Sequence, residues 1–335
     1  MGSSSLPGGR TGLVLGAGGV LGAAWMTGML PSLAERLPGG IDGVDVITGT
    51  SAGSVVAAAL RCGVTIEEMV GYQRGAGTGL LSDPSLQVTD GPLPPLPGWR
   101  PGSPPLVRAT LLRPHRVPAW VLASGWLPSG RGQHIALRAM LDAVHGRAAA
   151  QPGWAPERPG WVPGRTWIVT MDYDSGQRVV FGQDGAPGAG LPDAVVASCS
   201  IPGWYKPVTI GGRRYVDGGV RSVTSLDLMA GAGVDDVYVL APMASVVADR
   251  PSRPLERAER RIRRMITSGL LRSAQALRAA GIRVTVLTPG PEDLAAIGYN
   301  LMDPRRRAAV LETSLRTSPA AFAAAVSGLT GAAGH

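Results

Sequence analysis

Residues 44–53, VDVITGTSAG, decide the fold. The apolar run at 44–48 predicts a buried strand closed by Gly49, and the alanine-rich stretch from Ala52 to Arg61 predicts a helix. Between them stands Gly49-Thr50-Ser51-Ala52-Gly53, a G-x-S-x-G in the strand-to-helix context that the motif requires. The requirement is steric: a tight turn holds Ser51 in strained backbone geometry, and glycine at 49 and 53 lets neighbouring backbone pass closely. Ser51 Oγ is then presented at a helix N-terminus, where free N–H groups favour developing negative charge. The competing reading is a small-residue turn feeding a packed helix.

Upstream, residues 12–15, GLVL, form a short apolar run ending at the glycine cluster GAGGVLG, 16–22, with a helix expected from Val20 to Arg36. Downstream, 166–172, 234–242 and 282–289 are strand-like, with helical stretches between them. This alternation predicts an α/β fold, a three-layer α/β/α sandwich around a mostly parallel sheet. The glycine cluster is a poor dinucleotide fingerprint: Leu21 occupies its sixth position, and Thr48 stands where an acid would end the second strand. No cofactor is expected. Adjacent glycines can instead turn the N–H groups of Gly18, Gly19 or Val20 toward one point as an oxyanion hole. Turns ending neighbouring parallel strands face one cleft.

From Thr11 to Ala34 no charge interrupts the chain, and Arg10 precedes it, the outline of a signal peptide or membrane span. Gly16, Gly18, Gly19, Gly22 and Gly28 break that stretch and favour strand, turn and helix instead, and a cytoplasmic chain is expected. Hydrophobic residues make up 44% of the 335, enough for a sizeable core, which excludes wholesale disorder. Residues 11–330 read as one domain behind a flexible 1–10. Fifteen of the 29 prolines and five of the eight tryptophans fall between Gly75 and Arg165, marking 75–165 as an insertion or lid with one short helix at 132–145. Trp99, Trp120 and Trp126 are expected to cover the sheet; the alternative is a membrane interface or acyl pocket.

The net charge of +8 concentrates at 250–283, where ten arginines face only Glu256 and Glu259. Without zinc spacing, an aromatic RNA-binding signature or a basic tail, nucleic acid is not an expected partner. Residues 254–280 read as an amphipathic helix ended by Gly281, with Leu255, Ala258, Ile262, Met265, Ile266, Leu270 and Leu277 on its apolar side. A crossover helix covering the sheet fits this pattern, and so does peripheral contact with an anionic membrane. Asp303-Pro304 and Ser318-Pro319 each resemble a helix start. Cys62 and Cys199 are too few for a disulfide framework or a metal cluster and are expected as buried thiols; no metal site is expected.

A serine nucleophile needs a base. His115 and His134 lie in or beside the proline-rich segment, His145 near the end of a short helix, and His335 at the last position. Asp217 is better placed, in RYVDGGV at 214–220, after a glycine turn at Gly211 and Gly212 and before two more glycines. In a water-poor cleft a carboxylate of raised basicity can take the serine proton directly. An ordinary Asp-Gly turn is the bland alternative.

Three elements in order, GGVLG at 18–22, GTSAG at 49–53 and DGG at 217–219, make the chain resemble the patatin-like phospholipases, lipid acyl hydrolases with a serine–aspartate dyad. The resemblance covers most of residues 12–240 outside the insertion. It implies Ser51 as nucleophile, Asp217 as base, the amides of Gly18, Gly19 and Val20 as oxyanion hole, and an acyl lipid as substrate. The chain departs from the pattern at Leu21, where many members carry Arg or Lys. A histidine-using esterase with His134 or His145, and a lipid-binding protein with vestigial hydrolysis, are the rival expectations.

Overall fold

The computed structural model describes residues 9–77, 79–81, 98–112, 118–247 and 254–331. Its strands are β1 (Thr11–Leu15), β2 (Val46–Thr50), β3 (Arg165–Asp172), β4 (Arg178–Phe181), β5 (Val208–Ile210), β6 (Arg213–Asp217), β7 (Asp236–Leu240) and β8 (Arg283–Leu287). They form one sheet in the order β5-β6-β3-β2-β1-β7-β8, with β4 also on β3. The pairs β3-β2, β2-β1, β1-β7 and β7-β8 are parallel, and β4, β5 and β6 are antiparallel additions.

The helices are α1 (Gly19–Ala34), α2 (Ala52–Arg61), α3 (Ile66–Gln73), α4 (Pro104–Leu112), α5 (Ala119–Trp126), α6 (Ile135–Ala149), α7 (Leu191–Cys199), α8 (Pro254–Ala279), α9 (Pro291–Ile297) and α10 (Arg307–Gly331). Side chains alternate across the sheet, as strand geometry demands. Leu13, Leu15 and Ile47 point into one core with Trp25 and Met29 of α1, Val56 of α2, Val195 of α7 and Phe322 of α10. Val14, Val46, Val237, Val239 and Val284 point the other way, onto Leu270, Ala274 and Leu277 of α8. The result is the three-layer α/β/α arrangement.

Several expectations are corrected. β2 runs through Gly49, which pairs with Leu15 on one side and Ile168 on the other. The 75–165 segment holds α4, α5 and a fifteen-residue α6, because no proline falls between Pro128 and Pro152. Trp99, Trp120 and Trp126 do not cover the sheet; all three are exposed. Smaller residues, Leu106, Val121 and Leu122, pack there on Met171, Tyr173 and Val216 instead.

The α8 helix covers the sheet through Ile266, Leu270 and Leu277, as expected, but not through the apolar residues of its N-terminal half. Ile262 and Met265 are exposed, whereas Arg263 is buried, its guanidinium donating to the carbonyls of Pro242 and Ala244 and pairing with Glu259. Those carbonyls, in the loop after β7, need donors, and that requirement outweighs the apolar pattern of the helix. Gly281 ends the segment in the left-handed region, at φ +85°. Asp303 caps a short 3₁₀ turn at Pro304–Arg306, but Ser318-Pro319 lies inside α10. Pro319 deprives the Leu315 carbonyl of its amide donor, and the Ser318 hydroxyl donates to it instead, at 3.3 Å.

Candidate active site

The site exists because β3 outruns β2. Residues 165–169 of β3 pair with β2 and residues 170–172 pair with β6, while β4 takes 168–171 on the opposite edge. Since β4 overlaps both partners, β2 and β6 must share one edge of β3 and meet there end to end. Thr50 lies beside Val169 and Asp217 beside Thr170. Ser51, the residue after β2, thus arrives next to the residue that ends β6. The β5–β6 hairpin turns at Gly211 and Gly212, both at positive φ, and aims Asp217 at this junction.

Ser51 is buried and adopts φ 52°, ψ −121°, one of two non-glycine residues at positive φ among the described residues. Such geometry costs on the order of 1–3 kcal/mol and persists only where the surroundings enforce it. The enforcement is visible at both flanks. A Cβ on Gly49 would sit 2.5 Å from the Gly53 carbonyl oxygen, and one on Gly53 would overlap the carbonyl of Leu15 in β1. Below the turn, the Ser198 hydroxyl accepts from the Ser51 N–H at 2.9 Å and donates to the Val169 carbonyl at 2.7 Å. The Asp217 N–H donates to Ser200 at 3.0 Å. The C-terminal end of α7 therefore stitches together the ends of β2 and β6. Neither serine was singled out from the sequence; the only signal was a polar SCS at 198–200 closing an apolar helix.

Ser198→Ala is expected to cost about 1–3 kcal/mol in urea denaturation, because it leaves the Ser51 N–H buried without its acceptor. Unchanged stability would mean that the bridge holds nothing.

The Asp217 carboxylate is buried, accepts from the Gly219 N–H at 2.7 Å and interacts with the Ser51 side chain. Burial pushes its pKa up to about 6, against its interactions with Ser51 and the Gly219 N–H, which favour the charged form. Gly218 is needed for this approach, since a Cβ there would lie 2.5 Å from the Val169 carbonyl oxygen.

The glycine cluster opens α1. Around it the N–H groups of Gly16, Ala17, Leu21 and Gly22 donate to Leu240, Val223, Leu301 and Gly18 respectively. Those of Gly18, Gly19 and Val20 have no partner among the described residues, as the first amides of a helix require. Gly19 has φ +59° and lines the same cavity as Val20, Ser51 and Ala52. Leu21 is fully buried in the core, so that side chain faces away from the cavity.

The cavity has a volume of about 210 Å³. Along one wall lie Ala52, Val55, Val56, Ala59 and Cys62, the helical spacing of a single face of α2. At 1.5 Å per residue, Ser51 to Cys62 spans about 16 Å. Leu137, Met140, Leu141 and Val144 of α6 also line it. His134 is in the wall too, stacked on Tyr205 at 3.6 Å, with Nε2 at 3.0 Å from the Cys199 carbonyl, to which it donates. Burial lowers its pKa to about 4, against that carbonyl. His145 lies off the cavity, its Nε2 at 3.1 Å from the Trp161 carbonyl. His115 and His335 fall outside the described residues. Cys62 and Cys199 are buried free thiols.

A crevice at the C-terminal ends of parallel strands is where open α/β sheets bind ligands. A family model described as patatin-like phospholipase matches residues 13–230, and the chain belongs to that family. Membership places it among lipid acyl hydrolases. Among solved structures it is similar to VipD from Legionella pneumophila, at 13% identity and a TM-score of 0.42, over 96% of this chain and 68% of that one. It is also similar to the type III effector protein ExoU, at 16% identity and a TM-score of 0.37, over 95% of this chain and 54% of that one. No curated protein matches the chain. Among the described residues no helix is long and apolar enough to cross a membrane.

Proposed function

We propose that the protein hydrolyses acyl esters of lipids through Ser51 and Asp217. Ser51 Oγ attacks the acyl carbonyl carbon while its proton passes to the Asp217 carboxylate. The tetrahedral oxyanion accepts from the N–H groups of Gly18, Gly19 and Val20. As the carbonyl re-forms, the ester oxygen leaves with the proton from Asp217. Water then attacks the acyl-enzyme, giving up its proton to the same carboxylate, and the fatty acid departs as Ser51 recovers its hydrogen. No cofactor or metal enters the scheme.

The observation that carries this reading is the meeting, at the junction of β2 and β6, of a strained, cavity-lining serine with a buried carboxylate of raised basicity. The apolar wall along α2 supports an acyl chain as the group bound. For the histidine-using alternative, His134 is the remaining candidate, but its Nε2 already serves the Cys199 carbonyl.

A fluorophosphonate ester is expected to label Ser51, with the adduct located by mass spectrometry and lost in Ser51→Ala. Labelling of another residue, or none in the folded protein, would remove the hydrolase reading and favour a lipid-binding protein.

A further inference from the structure

Exposed tryptophan is uncommon on a water-facing surface, and this chain places three together. Trp99 is fully exposed, Trp120 is 59% and Trp126 is 53% exposed. Residues 98–102 run alongside 127–129, with Gly98 donating to Ser129, Ser129 to Arg100 and Gly102 to Leu127, each at 2.8 Å. Trp99 is thereby held beside the end of α5, whose outward face carries Trp120, Trp126 and the following Leu127.

The patch continues to the cavity. Gly132 donates to the Trp204 carbonyl and accepts from the Lys206 N–H, and the next residues bring His134 onto Tyr205, both in the cavity wall. Ile135, 71% exposed, stands between cavity-lining His134 and Ala136.

Charge on this segment has one sign. From Gly91 to Leu141 the chain carries six arginines and neither aspartate nor glutamate. Arg100, Arg131 and Lys206 are exposed and form no ion pair with a described residue. Indole rings that settle at headgroup depth, flanked by unpaired cations, are complementary to an anionic lipid surface.

We infer that Trp99, Trp120, Trp126, Leu127 and Ile135, with Arg100, Arg131 and Lys206, form the surface that docks the protein on anionic membranes, bringing the rim of its cavity to the lipid. This rests on the lipid-hydrolase reading for its purpose, though not for its test. The α8 helix also exposes Leu255, Ile262 and Met265 beside arginines, but none of its residues lines the cavity.

The test is co-sedimentation with phosphatidylcholine vesicles with and without phosphatidylglycerol. Binding is expected with the anionic lipid, with tryptophan emission quenched by lipids brominated near the headgroup. The triple variant Trp99→Ala/Trp120→Ala/Trp126→Ala, and separately Arg100→Gln/Arg131→Gln/Lys206→Gln, should each bind about tenfold more weakly or worse. Ile262→Gln/Met265→Gln should change binding less than about twofold. The tryptophan variant should keep the unmutated rate on a soluble short-chain ester. Unquenched emission, undiminished binding by the tryptophan variant, or loss confined to the α8 variant would overturn the inference, as would preference for nucleic acid over vesicles. An unmutated protein that binds vesicles but cleaves no ester would instead defeat the hydrolase reading alone.

Discussion

Replacing Asp217 by asparagine is expected to lower ester turnover by about 10²–10⁴-fold, the reach of a positioned general base. The same change should make the protein more stable at neutral pH. In the fold the carboxyl is held near pH 6, against an ordinary value of 3.8, so the folded state binds a proton more tightly than the unfolded chain does. Stability therefore falls as pH rises from about 4 through 6, by roughly 3 kcal/mol in all. Asparagine mimics the protonated form and escapes that loss. Melting at pH 7.5 should rise by several degrees in the variant, and melting at pH 4 should hardly move. For the unmutated enzyme, kcat/KM should climb through a pKa of about 6; a climb centred near 4 would point to His134 instead. Normal turnover by Asp217→Asn would end the dyad proposal.

Gly53→Ala is expected to cost about 3–5 kcal/mol or to prevent folding. Its Cβ would overlap the backbone carbonyl of Leu15, in a strand paired on both edges by β2 and β7 and unable to retreat. Gly146→Ala provides the contrast. That glycine lies in α6 with nothing near its Cβ position, so alanine should stabilise by about 0.5–1 kcal/mol. Urea denaturation of the two variants reads both effects. A Gly53→Ala protein within 1 kcal/mol of the unmutated one would mean that the turn is looser than its glycines indicate.

The parts legible in the sequence are those that local physics controls. The helix expected from Ala52 to Arg61 forms with those bounds, and the glycines at 49 and 53 announce a close passage of backbone. Within the proline-dense segment, the proline-free gap became α6. The acid-free run from Gly91 to Leu141 was also present in the sequence, hidden because the arginine block at 250–283 dominates a count of charge. Other features depend on partners far along the chain. The inward turn of Arg263 in the N-terminal half of α8 was decided by the carbonyls of Pro242 and Ala244. The exposure of the three tryptophans was decided by smaller residues taking the sheet-facing positions.

By itself the sequence determined the strand-turn-helix units, the parallel α/β architecture and the residue types at the site, because backbone sterics and hydrophobic periodicity act over a few neighbours. Only the tertiary structure decided that β6 ends where β2 ends, on one edge of β3, and that Ser198 and Ser200 at the end of α7 hold the two ends. That meeting joins residues 166 positions apart, Ser51 and Asp217, through strand pairing whose register no local pattern encodes.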